Sequence, residues 1–202
     1  MQRGDGATYI WQLERWPQWA WDAAKLTRAL AAAARAQGRL LGRMQGLGFT
    51  PQAHTALHAV TDDVVSSSAI EGERLDLQQV RSSVARRLGL ETEALLPADR
   101  DIEGVVQMTL DATQNAESPL TMERLGRWHS WLFTSAAEAE VRIGCYRDDR
   151  VGPMQVISGP AGRQRVHFEA PPAAQVASEM EQFFQWFNDS DGIDGLLRAG
   201  LA

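Results

Sequence analysis

Apolar residues recur at helical spacing through most of this chain. In "PQWAWDAAKLTRALAAAARAQGRLLGRMQGLG", positions 26, 30, 33, 40, 41, 44 and 47 form one broad stripe among strong helix formers, and Gly46 and Gly48 close it. Pro17 suits a first helical turn, so the pattern predicts a helix from there, with Trp11, Trp16, Trp19 and Trp21 packing its leading end. A second helix opens at Pro51, presents Leu57, Val60 and Val64 as a core-like face, and stops at Gly72. Asp76 is an N-cap residue for a third, which runs to Arg87 with Gly89 as its stop signal. Two more helices follow, from about Asp99 to Gln114 and within "SPLTMERLGRWHSWLF", the latter capped by Thr121.

Past Gly144 the periodicity changes. "MQVIS" and "RQRVHF" are short runs of β-formers separated by "GPAG", which predicts a hairpin with a Gly/Pro loop. Pro171 and Pro172 then open a helix whose apolar positions 176, 180, 183, 184 and 187 keep helical spacing, and a last helix starts near Gly195. The fold class read from this order is mostly α, a partial helical bundle with one short β-hairpin. Residues 1–90 are expected to form an N-terminal helical domain and residues 91–202 a second one, with "LETEALLPA" (90–98) as the connection.

Composition narrows the function. The 202 residues carry 20 basic and 26 acidic side chains for a net charge of −6, which disfavours nucleic acid and anionic membranes as partners. Lys25 is the one lysine, so a P-loop or a Schiff-base mechanism has a single poorly placed candidate. Cys145 stands alone, which excludes an internal disulfide and a cysteine-based zinc site. No signal peptide is legible at the start, and the expected compartment is the cytoplasm. His54 and His58 lie four apart on one helix face, but no third ligand accompanies them, so a surface pair outweighs a metal site. His129, between Trp128 and Trp131, fits aromatic packing better than catalysis. "DSDGIDG" lacks the spacing of a calcium loop and reads as a capped turn.

One residue is locally out of place. Glu71 in "SSAIEGERL" falls at the end of a helix, where the exposed carbonyls carry partial negative charge and a cation is preferred by about 0.3 to 1 kcal/mol. Ser67, one turn earlier, could donate its hydroxyl to that carboxylate; solvation, or pairing with Arg74, would explain it equally well.

Ser67-Ser68-Ala69-Ile70-Glu71-Gly72 resembles the inhibitory motif Ser/Thr-x-x-x-Glu-Gly/Asn of Fic-family proteins, in the class that carries it on a helix ahead of the Fic core. Two further stretches are similar to that family, in the same order. "YIWQLERWPQWAWD" resembles the small helical domain of unknown function, DUF4172-like, that precedes many bacterial Fic domains. "GCYRDDRVGPMQVI" resembles the segment holding the Fic flap.

The resemblance implies a protein adenylyltransferase, which moves AMP from ATP to a hydroxyl side chain of a target protein with Mg as cofactor. It implies that Ser67, Glu71 and Gly72 belong to an inhibitory helix at about 52–72, and that Met154, Gln155, Val156, Ile157 and Ser158, in a flap at about 153–168, dock the target by strand addition. Gly144, Tyr146 and Arg147 match a Gly-x-aromatic-Arg element of structural role. The catalytic signature, His-x-Phe-x-Asp/Glu-Gly-Asn-Gly-Arg-x-x-Arg, does not occur in these residues, so no catalytic residue is assigned.

The chain is therefore expected to be truncated before that signature, to bind neither ATP nor Mg tightly, and to be inactive as it stands. In the complete form Glu71 would pair with the second arginine of the signature, in space that the γ-phosphate of ATP needs. Apolar residues Leu196, Leu197 and Leu201 would then be left uncovered, which predicts association into homo-oligomers. The competing reading is a non-catalytic helical module that binds a partner through the hairpin or the tryptophan-rich start. Transfer of another group, or removal of AMP, also remains open.

Overall fold

The computed structural model describes residues 9–90, 96–133, 142–150, 152–160, 162–189 and 192–202. Among them are a short 3-10 turn at Ile10–Gln12 and seven α-helices: α1 (Ala23–Gln45), α2 (Phe49–Ile70), α3 (Leu77–Arg87), α4 (Arg100–Gln114), α5 (Met122–Leu132), α6 (Ala173–Asp189) and α7 (Gly195–Leu201). One antiparallel pair, β1 (Gln155–Ser158) with β2 (Arg165–Glu169), makes the only sheet among the described residues. The fold is mostly α with a small hairpin, as the periodicities predict. None of the described helices is long and apolar enough to cross a membrane. The backbone groups into two compact units, residues 1–28 with 145–202, and residues 29–144. Residue 90, where the sequence suggests a boundary, falls inside the second unit, and most of the expected connection, 91–95, lies outside the described residues.

In the second unit, Leu57 and Val64 of α2, Val80, Val84 and Ala85 of α3, and Ile102, Val106 and Leu110 of α4 form one buried cluster, with Val60 packed against it. Ends are capped as the residue types dictate. Asp76 Oδ1 accepts the Gln78 and Gln79 amides, each at 2.9 Å, and Thr121 Oγ1 accepts the Arg124 amide at 3.2 Å. Gly89, at φ +67°, lets the Leu90 amide reach the Ala85 carbonyl at 3.0 Å, while Leu90 itself turns back onto the core. Arg86 and Arg87 of α3 both bond Glu103 of α4, at 2.5 and 2.9 Å. α4 and α5 touch backbone to backbone: a Cβ at Gly104 would collide with the Trp131 carbonyl oxygen.

The largest buried polar feature links the same two helices. The Arg124 side chain, 6 % exposed, donates from Nε to Asp111 Oδ2 at 2.8 Å. Its Nη1 reaches the Ser118 carbonyl at 2.8 Å, and its Nη2 the carbonyls of Asp111 and Asn115 at 2.8 and 3.0 Å. Trp128 Nε1 adds a second donor to Asp111 Oδ2 at 2.7 Å. These carbonyls lie at or just past the end of α4, so a guanidinium from α5 caps the negative pole of its neighbour.

Two expectations need correction. The first helix starts at Ala23 rather than at Pro17. Asp22 supplies the stronger signal, because its Oδ1 accepts the Lys25 amide at 3.2 Å, whereas a proline satisfies no orphaned donor. Two of the four tryptophans expected at the leading end of that helix have their indole N–H engaged elsewhere. Trp11 Nε1 donates to the Glu169 carbonyl of β2 at 2.7 Å, and Trp16 Nε1 to Glu179 Oε2 of α6 at 3.0 Å. The apolar stripe of α1 lies open: no residue of that helix is buried, and Leu40 and Leu41 are 61 % and 53 % exposed.

Candidate functional site

The end of α2 is closed by hydrogen bonds that fix where Glu71 stands. Gly72, at φ +88°, takes the left-handed conformation, so its amide reaches the Ala69 carbonyl at 3.1 Å and the Glu73 amide reaches the Ser68 carbonyl at 2.9 Å. This double closure is the Schellman arrangement, and a residue with a Cβ would adopt it at a cost of about 1 kcal/mol or more. Glu71 is the last residue before the turn, at φ −81° and ψ 1°. About two to four turns of helix behind it, Val64, Thr61 and Leu57 are buried, and the Thr61 hydroxyl donates to the Leu57 carbonyl at 2.6 Å. Glu71 is thus carried at the tip of an anchored helix.

Its carboxylate is exposed and makes no hydrogen bond or ion pair with any described residue. Ser67 is exposed as well and does not donate to it, and Arg74 does not pair with it. Of the three local explanations for the acid, solvation alone applies. Beside it Ile70 is 82 % exposed, so an apolar side chain and an unpaired acid share one surface.

The hairpin belongs to the other unit. Gln155 faces Glu169, Val156 faces Phe168, Ile157 faces Val166 and Ser158 faces Arg165, so His167 is the extra residue at an irregularity between Val156 and Ile157. Gly159 turns the loop at φ +96°, and a Cβ there would stand 2.7 Å from the Arg163 carbonyl oxygen. The Ala170 amide bonds the Met154 carbonyl at 2.9 Å, which makes Gln155 and Glu169 a pair of the non-hydrogen-bonded kind; the Glu169 carbonyl therefore points away from β1. Trp11 takes that carbonyl, and the Tyr9 ring meets Phe168 edge-on at 5.3 Å. The outer edge of β2 is thereby covered at its end. β1 has no third strand beside it among the described residues, and Met154, Val156 and Ile157 are all exposed.

The element ahead of the hairpin is divided between the units. The Gly144 amide donates to His129 Nδ1 at 3.0 Å, where a Cβ on Gly126 would come within 3.4 Å of the Gly144 carbonyl oxygen. The His129 ring packs on Phe133 at 4.6 Å, in keeping with an aromatic contact. Tyr146 is half-buried in the other unit. There Arg147 donates to Asp149 Oδ1 at 2.8 Å and to the Pro171 carbonyl, while Asp149 Oδ2 accepts the Ala173 amide at 2.7 Å. Arg147 and Asp149 thus fasten the approach to the hairpin onto the start of α6. Sequence reasoning missed Asp149; its one signal was an acid two residues from Arg147, ahead of a proline-opened helix.

Chemistry at the α2 tip is limited to one acid and a hydroxyl. His54 and His58 are both exposed, and no group of three or more His, Cys, Asp or Glu among the described residues could hold a metal ion. Glu71 pairs with no cation among the described residues, an arrangement that repels ATP phosphates, and as a single acid it would supply one Mg ligand.

Residues 9–90 match the family DUF4172, a domain of unknown function. The match covers less than half of the chain and includes α2, Glu71 and Gly72, but not the hairpin. No curated protein matches this sequence.

Proposed function

We propose that this chain is the regulatory and target-docking part of a Fic-type protein adenylyltransferase, with Glu71 as its inhibitory acid. The observation that carries the reading is the unpaired Glu71 carboxylate at a rigid, Schellman-closed helix end, beside an exposed Ile70. An acid in that position costs the helix stability and receives nothing from the described residues in return, which fits a group meant for an arginine elsewhere. The uncovered edge of β1 supports strand addition as the mode of target docking, with Met154 to Ser158 as the docking strand. ATP and Mg would be held by residues other than those described.

The experiment has two steps. Reading the open reading frame past codon 202 should reveal His-x-Phe-x-Asp/Glu-Gly-Asn-Gly-Arg. In the protein carrying that signature, Glu71→Gly should raise transfer of labelled AMP from ATP to protein. An in-frame signature with unchanged transfer after Glu71→Gly, in a competent enzyme, would remove Glu71 from its role. A stop codon in place of the signature would favour the non-catalytic interaction module.

A further inference from the structure

A second site lies in the unit that holds the hairpin. The segment Trp16–Trp21 folds against α6 and the end of α7 and leaves a groove of about 540 Å³. Its walls are aromatic: Trp16, Trp19 and Trp21 from the segment, Phe183 and Trp186 from α6. Trp16 and Trp19 meet at 83° with centroids 5.5 Å apart, so their faces form two sides of a corner, and Trp19 and Trp21 are each 42 % exposed. Glu179 also lines the groove and is the one ionisable side chain among the described residues that do; no Arg, Lys or His stands with it. The Trp16 indole donates to Glu179 Oε2 at 3.0 Å, which leaves Oε1 without a partner among the described residues.

We infer that this groove binds an organic cation of the alkylated ammonium class, with the methyl groups against the indole faces and the charge neutralising Glu179. Aromatic faces carry negative quadrupole potential and attract a cation within about 6 Å of the ring centroid. An anion would meet the Glu179 carboxylate with no Arg, Lys or His in the lining to offset the repulsion. A neutral apolar ligand would strip water from the carboxylate and leave its Oε1 without a donor, which costs more than the contact returns. A bare ammonium would lose its hydration for a single carboxylate, whereas an alkylated one sheds little water and gains ring contacts. The same chemistry occurs in a free quaternary amine and in a methylated lysine of a protein tail, and both fit an open groove of this volume.

Tryptophan fluorescence of the chain, titrated with choline, tetramethylammonium and 3,3-dimethylbutanol, tests the inference without any mutation. Choline and tetramethylammonium should give saturable changes, and the uncharged isostere of choline should bind about tenfold more weakly. A peptide bearing trimethyllysine, set against the same peptide with plain lysine, distinguishes the sources: tighter binding than choline indicates a protein tail, weaker binding a free cation. Glu179→Gln keeps an acceptor for the Trp16 indole, so it should remain folded and bind choline about tenfold more weakly. Trp186→Leu should abolish the response. Equal affinity for choline and its isostere, no saturable change with any cation, or undiminished binding by Glu179→Gln would each overturn the inference, and none of these results bears on Glu71.

Discussion

Arg124→Met isolates the one buried ion pair described here. Methionine keeps the unbranched stem and removes the guanidinium, which leaves Asp111 with only the donors from Trp128 and Asn115, at 2.7 and 2.8 Å. Breaking a buried pair by deleting one partner costs about 3 to 5 kcal/mol, most of it the price of a stranded charge. Two features place the expected loss at the lower end. The Asp111 side chain is 19 % exposed, so water can partly replace Arg124, and Asn115 and Ser118 are exposed enough for their carbonyls to be hydrated. About 3 kcal/mol remains, which for a chain of this size is a fall in melting temperature of about 6 to 12 °C. Circular dichroism at neutral pH reads it directly. The double variant Arg124→Met with Asp111→Asn should recover about 1 to 2 kcal/mol, because the stranded charge is gone. A fall of less than about 2 °C, or a double variant no more stable than Arg124→Met, would refute the view that Arg124 caps α4 and neutralises Asp111.

The same pair predicts a pH dependence. Burial pushes the Asp111 carboxyl up, but hydrogen bonds from Arg124, Trp128 and Asn115 and the charge of Arg124 outweigh it, so the net shift is downward. A folded pKa below the unfolded one, about 3.9, gives stability that is present above that value and lost as pH falls through the folded one; melting curves below about pH 4 should therefore fall less steeply for Asp111→Asn than for the parent, and identical slopes would dismiss the contribution. Gly104→Ala puts a Cβ against the Trp131 carbonyl and should cost up to about 3 kcal/mol by forcing α4 and α5 apart, with an unchanged denaturation midpoint as the contrary result. Glu71→Lys places a cation at the end of α2 and should stabilise the chain by about 0.3 to 1 kcal/mol in chemical denaturation; a loss instead would mean that Glu71 already has a partner within the chain.

The elements were legible in the sequence where two signals agree. Asp76 with Gly89, Thr121 with its helical stripe, and "GPAG" between β-formers each combine a periodicity with a stop or cap, and each element is where the pattern puts it. Where signals compete, the better hydrogen bond decides: Asp22 satisfies an amide that Pro17 cannot, and α1 begins accordingly. The apolar stripe of α1 shows the other limit. Periodicity states that a face is apolar, not what covers it, and Leu40 and Leu41 are left to solvent. Contacts distant in sequence gave no warning at all. Arg124 reaches the end of α4 and Trp16 reaches Glu179 across 163 positions, and neither pairing has a local pattern that could announce it. Glu71 is the reverse case, because its anomaly lies entirely in local physics.

Helix ends elsewhere in the chain show what Glu71 forgoes. α1 closes with Arg43 in its last turn, α3 with Arg86 and Arg87, and α5 with His129. α4 has no basic residue in its last turn, and Arg124 is brought to it from the next helix. α6 shares the omission and closes on Asp189, so the acid at the end of α2 is not unique by charge alone. The difference lies in how the end of α2 is built. Two of its end carbonyls, those of Ala69 and Ser68, are taken up by the Gly72 and Glu73 amides, and its body is pinned by Leu57, Thr61 and Val64. A cation arriving at Glu71 would therefore meet a carboxylate held at a fixed height, with helix carbonyl dipoles behind it adding to its negative potential. An arginine would find there what Arg124 finds at the end of α4, a carboxylate backed by the negative pole of a helix. Among the described residues Arg124 with Asp111 shows the whole of that arrangement, and Glu71 carries its acidic half exposed.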